Sequence, residues 1–282
     1  MIDGPMSDPK IMGDLLPEPV RNVFRTIVPH SLRVKAYQKL FPHPQNMARA
    51  VRFWANPVER RRRKAELRKC RTPEDFFAFA TTYLAHQQWS EEILGFLKFA
   101  EAKKPVRICE LGMFQGGTNL MLTHALSTVE QIVGVDLYIR NKSQLKYYAK
   151  SSQRQTFIEG STRDKHNVEK VAQALKGQKL DLLFIDADHS YEGAKKDFML
   201  YRHFVRDGGI IAFHDILPDH LIKFGLDPAT YVGALSGEVY LLWKNLKPYY
   251  ENTKEFVADY EQNGCGIGAL VYSSKVEIPE NL

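Results

Sequence analysis

The chain has 282 residues, with 39 Lys and Arg against 33 Asp and Glu and 44% apolar residues, enough for one α/β domain of about 180 residues plus an extension, and a composition that excludes wholesale disorder. No apolar run approaches the roughly 18 residues needed to span a bilayer, and the N-terminal MIDGPMSDPK lacks the basic-then-apolar order of a secretory signal. Cys70, Cys109 and Cys265 are odd in number and far apart, which excludes a disulfide framework and a structural zinc motif and fits a reducing, cytoplasmic setting.

Charge is unevenly placed. Residues 1–104 carry 19 Lys and Arg against 11 Asp and Glu, whereas the remainder carries 20 against 22. The first twenty residues are rich in Pro and Gly and read as loose, and Val20 to Leu40 and a stretch from Met47 read as helical. Pro57 suits the first turn of a helix running to Arg71, which contains ERRRRKAELRKCR. Such a run is most often a solvated face, with an anionic membrane surface as the sharper alternative and nucleic acid disfavoured because no binding motif accompanies it. Thr72, with Asp75 three residues later, predicts a helix N-terminus, and Ser90 followed by Glu91 and Glu92 predicts another.

From here strands and helices alternate, so the boundary falls at about residue 84: a basic, helical extension over 1–84 and an α/β domain over 85–282. Strands are expected at Val106–Leu111, Gln131–Val135, Gln155–Ile158, Leu180–Ile185 and Gly209–Phe213, with helices at Thr118–Leu126, Asp164–Leu175 and between the last two strands. Gly208 and Gly209 are expected to break the chain before the fifth strand. Residues after Asp215 should roof the strand ends, Val239–Leu246 should be helical, and Glu255–Tyr260 and Ile267–Tyr272 should form a hairpin around Asn263-Gly264.

Two features carry the chemistry. Glu110-Leu-Gly-Met-Phe-Gln-Gly-Gly117 lies between a strand and a helix, where glycines let the backbone approach a ligand. Its spacing is not GxGxxG, and an acidic residue before the first glycine disfavours a pyrophosphate and with it a nicotinamide oxidoreductase. Asp136 ends the next strand, where a carboxylate usually accepts ribose hydroxyls, and Ser161 after the third strand can reach an adenine. The second feature is LDLLFIDADHSYEGAKKDF followed by GGIIAFHDI. It releases Asp186, His189, His214 and Asp215 at the ends of two neighbouring strands, where Asp186, His214 and Asp215 can hold a divalent cation, Mg2+ or Mn2+, with His189 beside it as a base. Asp188 reads as a turn residue.

ELGMFQGG, GVD, EGS, FIDADHSYEGAKKDF and GGIIAFHD together resemble the class I S-adenosylmethionine-dependent methyltransferases, in particular the group of cephalosporin-hydroxylase-like proteins and macrolide-sugar and rhamnosyl O-methyltransferases. The resemblance covers about residues 85–275. It implies a Rossmann-like, doubly wound seven-stranded sheet of order 3-2-1-4-5-7-6 with the last strand antiparallel. It implies S-adenosyl-L-methionine as cofactor, held by Glu110, Gly112, Gly117, Asp136 and Ser161, metal ligation by Asp186, His214 and Asp215, and His189 as catalytic base. His214 departs from the acidic or amide residue of metal-dependent relatives, which favours a softer ion such as Mn2+ or a contact with substrate. The activity implied is O-methylation of a sugar, glycolipid or glycosylated small molecule. An RNA methyltransferase using the basic extension, and a non-catalytic membrane- or complex-docking protein, stand as alternatives. A homo-oligomer joined through the extension stays open.

Overall fold

A computed structural model describes residues 53–228, 231, 233, 236–279 and 282. All belong to one compact unit, Ala48–Leu282. The helix expected at 20–40 lies outside the described residues, as does the start of the stretch from Met47, whose residues 53–55 are helical.

Three helices, α1 (Pro57–Leu67), α2 (Pro73–Tyr83) and α3 (Ser90–Glu101), precede the sheet. They lead into β1 (Arg107–Leu111), α4 (Gly117–Ala125), β2 (Gln131–Asp136), α5 (Lys142–Tyr148), β3 (Arg154–Glu159), α6 (Lys165–Leu175), β4 (Leu180–Ile185), α7 (Tyr191–Tyr201) and β5 (Val205–His214). A short α8 (His220–Lys223), α9 (Val239–Leu246), β6 (Thr253–Phe256) and β7 (Ile267–Val271) complete the unit. The sheet order is β3-β2-β1-β4-β5-β7-β6. β1 to β5 run parallel to one another, and β7 runs antiparallel to both β5 and β6. This is the Rossmann-like arrangement of the class I methyltransferase fold.

Strand alternation builds two core layers. Ile108, Ile132, Leu182, Phe184 and Ile210 face one side with Phe79, Ile93, Phe96 and Leu120 of α2, α3 and α4. Cys109, Val133, Leu183, Ile211 and Phe213 face the other with Val171, Phe198 and Leu242 of α6, α7 and α9. Phe53, Leu67, Phe76 and Phe79 enter the first layer, so α1 and α2 share the core of the unit although the sequence reading assigns them to the extension. Apolar residues at Phe76, Phe79 and Ala80 form the buried stripe that drives this docking.

The capping box at Thr72 and Asp75 forms as expected. Ser90 does not cap α3: Trp89 takes that place, and Ser90 Oγ donates to Glu91. Gly208 and Gly209 lie inside β5, which absorbs them through a register shift opposite Leu180 and Leu182. The closing hairpin has a shorter first strand, because the chain leaves the sheet after buried Phe256 and folds through an Asp259–Gln262 turn rather than a tight Asn-Gly turn. On α1, Glu59 pairs with Arg62 and Arg63, and Glu66 pairs with Arg62, the arrangement of a solvated face. Among the described residues no helix is long and apolar enough to cross a membrane.

Candidate active site

The β1–α4 connection is built by close approach. Gly112 has φ +83, and a Cβ there would stand 1.8 Å from the Asp186 carbonyl oxygen. Its amide donates to Val135 O at 2.9 Å, while Asp186 N donates to Leu111 O at 2.7 Å. The loop after β1 is thereby fastened to the ends of β2 and β4. Gly117, at the start of α4, would put a Cβ 2.4 Å from Ala85 O. Glu110 is fully buried; one carboxylate oxygen accepts from Asn119 Nδ2 at 2.7 Å and the other has no partner. Burial pushes the Glu110 carboxyl well up, with Asn119 opposing. An unsatisfied buried acceptor at a glycine loop suits a cationic ligand group.

Asp136 organises the same loop. Its Oδ2 accepts from Met113 N at 2.6 Å and Phe114 N at 2.8 Å, and its Oδ1 accepts from Tyr138 N at 2.9 Å. Asp136→Ala therefore removes three charge-assisted bonds, each worth about 1.5–3 kcal/mol in such settings. The expected result is at least tenfold weaker S-adenosylmethionine binding by calorimetry, or about 1.4 kcal/mol, together with a lowered melting temperature. Lost stability with unchanged affinity would make Asp136 a loop anchor alone. Ser161 lies in the turn after β3, its Oγ accepting from Arg163 N and its carbonyl from Asn167.

The ends of β4 and β5 meet at an ionic cluster. His189 Nδ1 is 2.9 Å from Asp215 Oδ2, and its Nε2 is 3.6 Å from Asp186 Oδ1. His214 Nδ1 lies 3.2 Å from Asp186 Oδ1 and 3.4 Å from Asp215 Oδ1. Neither His214 contact has hydrogen-bond geometry, and both ring nitrogens are buried without a partner. One ligand atom each from Asp186, His189 and Asp215 lie within 4.8 Å of one another, and so do one each from His214, Asp215 and Cys265. Asp215 itself adopts φ +62, a left-handed conformation that a non-glycine residue holds at a cost.

Burial is the largest influence on both imidazoles and opposes their charge. The two facing carboxylates outweigh it, raising His189 to about 10 and His214 well above its ordinary value. Burial also opposes charge on the carboxylates, yet His214 and then His189 hold Asp186 and Asp215 below the usual range. The histidines stabilise the fold fully below their unfolded value of 6.5, and that contribution fades as pH rises toward about 10. The aspartates stabilise above 3.8 and lose the effect as pH falls through their lowered values. The melting temperature in a chelator should therefore fall from pH 6.5 to 10, and more gently in Asp215→Asn; equal slopes would exclude the cluster as the source.

Several participants escape a linear reading. Gln88, before α3, donates from Nε2 to Asp186 Oδ2 at 3.1 Å. Glu92 is not an exposed first-turn residue: it is fully buried and accepts from Gln262 Nε2 at 2.5 Å and Gly266 N at 2.9 Å. Asp188 is the turn residue expected, bonding Ser190 and pairing with Arg163. In the roof, Asp219 caps α8 and accepts from Ser236 N, and Glu238 N donates to His189 O. Tyr147 and Tyr148 pack on Phe53, and Tyr148 also on Phe79, because α5 turns its aromatic face toward the helices that precede the sheet. Burial pushes the Cys265 thiol up to about 12, with His214 opposing.

Sheet order and glycine loop are those of the Rossmann-like, class I S-adenosylmethionine-dependent methyltransferase fold. Residues 109–216 match the model of a family described as a methyltransferase domain. No curated protein matches the sequence. Among solved structures, the O-methyltransferase TomG from Streptomyces achromogenes, in complex with SAM, is 14% identical, with 73% of this chain and 92% of that chain covered and a TM-score of 0.48. An O-methyltransferase from Bacillus cereus in complex with SAH is 13% identical, covering 89% and 96%, with a TM-score of 0.46. MycE of the mycinamycin biosynthetic pathway, in complex with Mg, SAH and mycinamycin VI, is 17% identical, covering 66% and 51%, with a TM-score of 0.43.

Proposed function

We propose that this protein is a divalent-cation-assisted O-methyltransferase acting on a hydroxyl of a sugar, glycolipid or glycosylated small molecule. The observation that carries the reading is the meeting of Asp186, His189 and Asp215, one ligand atom from each within 4.8 Å, beside a loop fastened to the Asp186 carbonyl through Gly112. Carboxylate oxygens and imidazole nitrogens, two of them unpartnered on His214, fit Mg2+ or Mn2+, the imidazoles favouring the softer ion. Asp186 and Asp215 would hold the cation, with His214 completing the set. When bound, the cation lowers the pKa of a chelated hydroxyl and S-adenosylmethionine supplies the methyl group.

The chain's own residues do the rest. Glu110 and the glycine loop bind the charged end of the cofactor, and Asp136 holds that loop in shape. Between two carboxylates His189 is an imidazolium and cannot accept a proton. It becomes a base only when the charge of Asp186 and Asp215 is engaged elsewhere, and its Nε2 then can take the proton of an acceptor hydroxyl. The Glu238 bond to the His189 carbonyl keeps the imidazole aimed at the cluster.

The test is a calorimetric titration of S-adenosylmethionine into metal-stripped protein, repeated with Mg2+ and with Mn2+, then a screen of glycosides and glycolipids for S-adenosylhomocysteine release. Micromolar cofactor binding and cation-dependent turnover on a vicinal diol are expected. Turnover indifferent to chelator would sink the cation's role.

A further inference from the structure

We propose that His214, Asp215 and Cys265 form an alternative cation site, selective for a thiophilic divalent ion such as Zn2+ and sharing His214 and Asp215 with the ligands assigned above to Mg2+ or Mn2+. The inference stands apart from the methyl-transfer reading: it needs only these three side chains, whatever the acceptor.

The geometry comes first. One ligand atom from each of the three residues lies within 4.8 Å of the other two. Around a tetrahedral ion with bonds of about 2.0 Å to nitrogen or oxygen and 2.3 Å to sulfur, ligand atoms of such a set stand about 3.3–3.5 Å apart, so a modest contraction closes the set. His214 is only 4% exposed, and neither of its ring nitrogens has a hydrogen-bond partner. A buried imidazole whose ring nitrogens make no hydrogen bond costs free energy that a bound ion would return.

The chain is also built to present the thiol. Cys265 has φ +63 and stands between Gly264 at +73 and Gly266 at +83. Glycine would be the relaxed choice in such a run, yet a cysteine occupies its centre. Its amide donates to Ser236 Oγ at 3.1 Å, its carbonyl accepts from Leu217 N at 3.0 Å, and the next amide donates to buried Glu92 at 2.9 Å. These anchors come from the roof, the end of β5 and α3, so the thiol is held from three sides.

Ligand softness separates the two sets. Asp186, His189 and Asp215 offer hard oxygen and borderline nitrogen, whereas the second set includes sulfur, which favours Zn2+ or Co2+ over Mg2+. Asp215 faces both, with Oδ2 toward His189 and Oδ1 toward His214. Three protein ligands leave the fourth position of a tetrahedral ion to water.

The experiment titrates Co2+ into the metal-free full chain and follows absorption. A saturating thiolate-to-cobalt charge-transfer band at one ion per chain is expected, displaced by Zn2+ and not by a large excess of Mg2+. Cys265→Ser should lose the band, His214→Gln should weaken Co2+ at least about tenfold, and Cys70→Ser and Asp186→Ala should keep it. No band, or a band surviving in Cys265→Ser, overturns the site. Loss of the band in Asp186→Ala also overturns it, since the two sets would then be one. Should Cys265→Ser fail to fold, Zn2+ protection of Cys265 from iodoacetamide in the unsubstituted protein, located by peptide mass spectrometry, replaces it. Equal alkylation with and without Zn2+ refutes the proposal.

Discussion

Asp215→Ala is expected to reduce cation-dependent methyl transfer at least about a hundredfold, the scale on which loss of a ligand or its immediate support acts. Asp215 faces both imidazoles, His189 through Oδ2 and His214 through Oδ1. Removing it leaves the two histidines with a single carboxylate between them, so the cluster loses affinity for a cation together with its electrostatic balance. Backbone and side chain must be separated in this test, because Asp215 holds φ +62. Glycine tolerates that conformation and alanine does not. Asp215→Gly should therefore be as inactive as Asp215→Ala but melt higher. Mn2+ binding by calorimetry should vanish in both, while S-adenosylmethionine affinity should stay within about twofold (~0.4 kcal/mol). Either variant retaining Mn2+ binding and full turnover would remove Asp215 from the cation site.

Gly112→Ala should be the most damaging single methyl group added to the domain. The new Cβ would lie 1.8 Å from the Asp186 carbonyl oxygen and 2.8 Å from the Ala187 Cα. Both obstacles are backbone, so no rotamer change relieves the overlap. The loop must move away from β4, which endangers the Gly112 amide bond to Val135 and the Asp186 amide bond to Leu111. A loss of about 3 kcal/mol or more is expected from overlap and the left-handed backbone together, or roughly 6–12 °C in melting temperature for a domain of this size. Gly177→Ala provides the comparison. Its φ is +79 but nothing lies within 4 Å of its Cβ, so only the conformational cost of about 1–2 kcal/mol remains. Equal losses in the two variants would show that conformation, not contact, governs Gly112. Because Gly112 touches the peptide bearing Asp186, its substitution should weaken cofactor and cation binding together.

Much of this was readable along the chain because the information is local. The stretch 180–185, apolar but for Asp181, and the apolar run 210–213 read as buried parallel strands, and residues leaving such strands gather at one sheet edge. Hence Asp186, His189, His214 and Asp215 could be grouped before any coordinates. The glycine loop and Asp136 followed from the same rule at β1 and β2. The Thr72–Asp75 capping box needs only four residues and was equally legible.

Other features depend on contacts between distant segments. Glu92 sits in a helix first turn, a place that is usually solvated, and only the hairpin loop 170 and 174 residues away, bringing Gln262 and Gly266 over it, makes it a buried anchor. Gln88 reaches Asp186 across 98 residues. Cys265 lies in no metal-binding spacing; it meets His214 and Asp215 because β7 pairs antiparallel with β5, His214 opposite Ile267, which brings the residue two before that strand to the same edge. α1 and α2 looked separable by charge, yet their apolar stripe, Phe76, Phe79 and Ala80 on α2 and Leu67 on α1, had a matching face available only once the sheet was assembled. Period and capping are determined by neighbours in sequence; the pairing of a buried charge or a thiol with its partners is determined by which surfaces the sheet topology brings together.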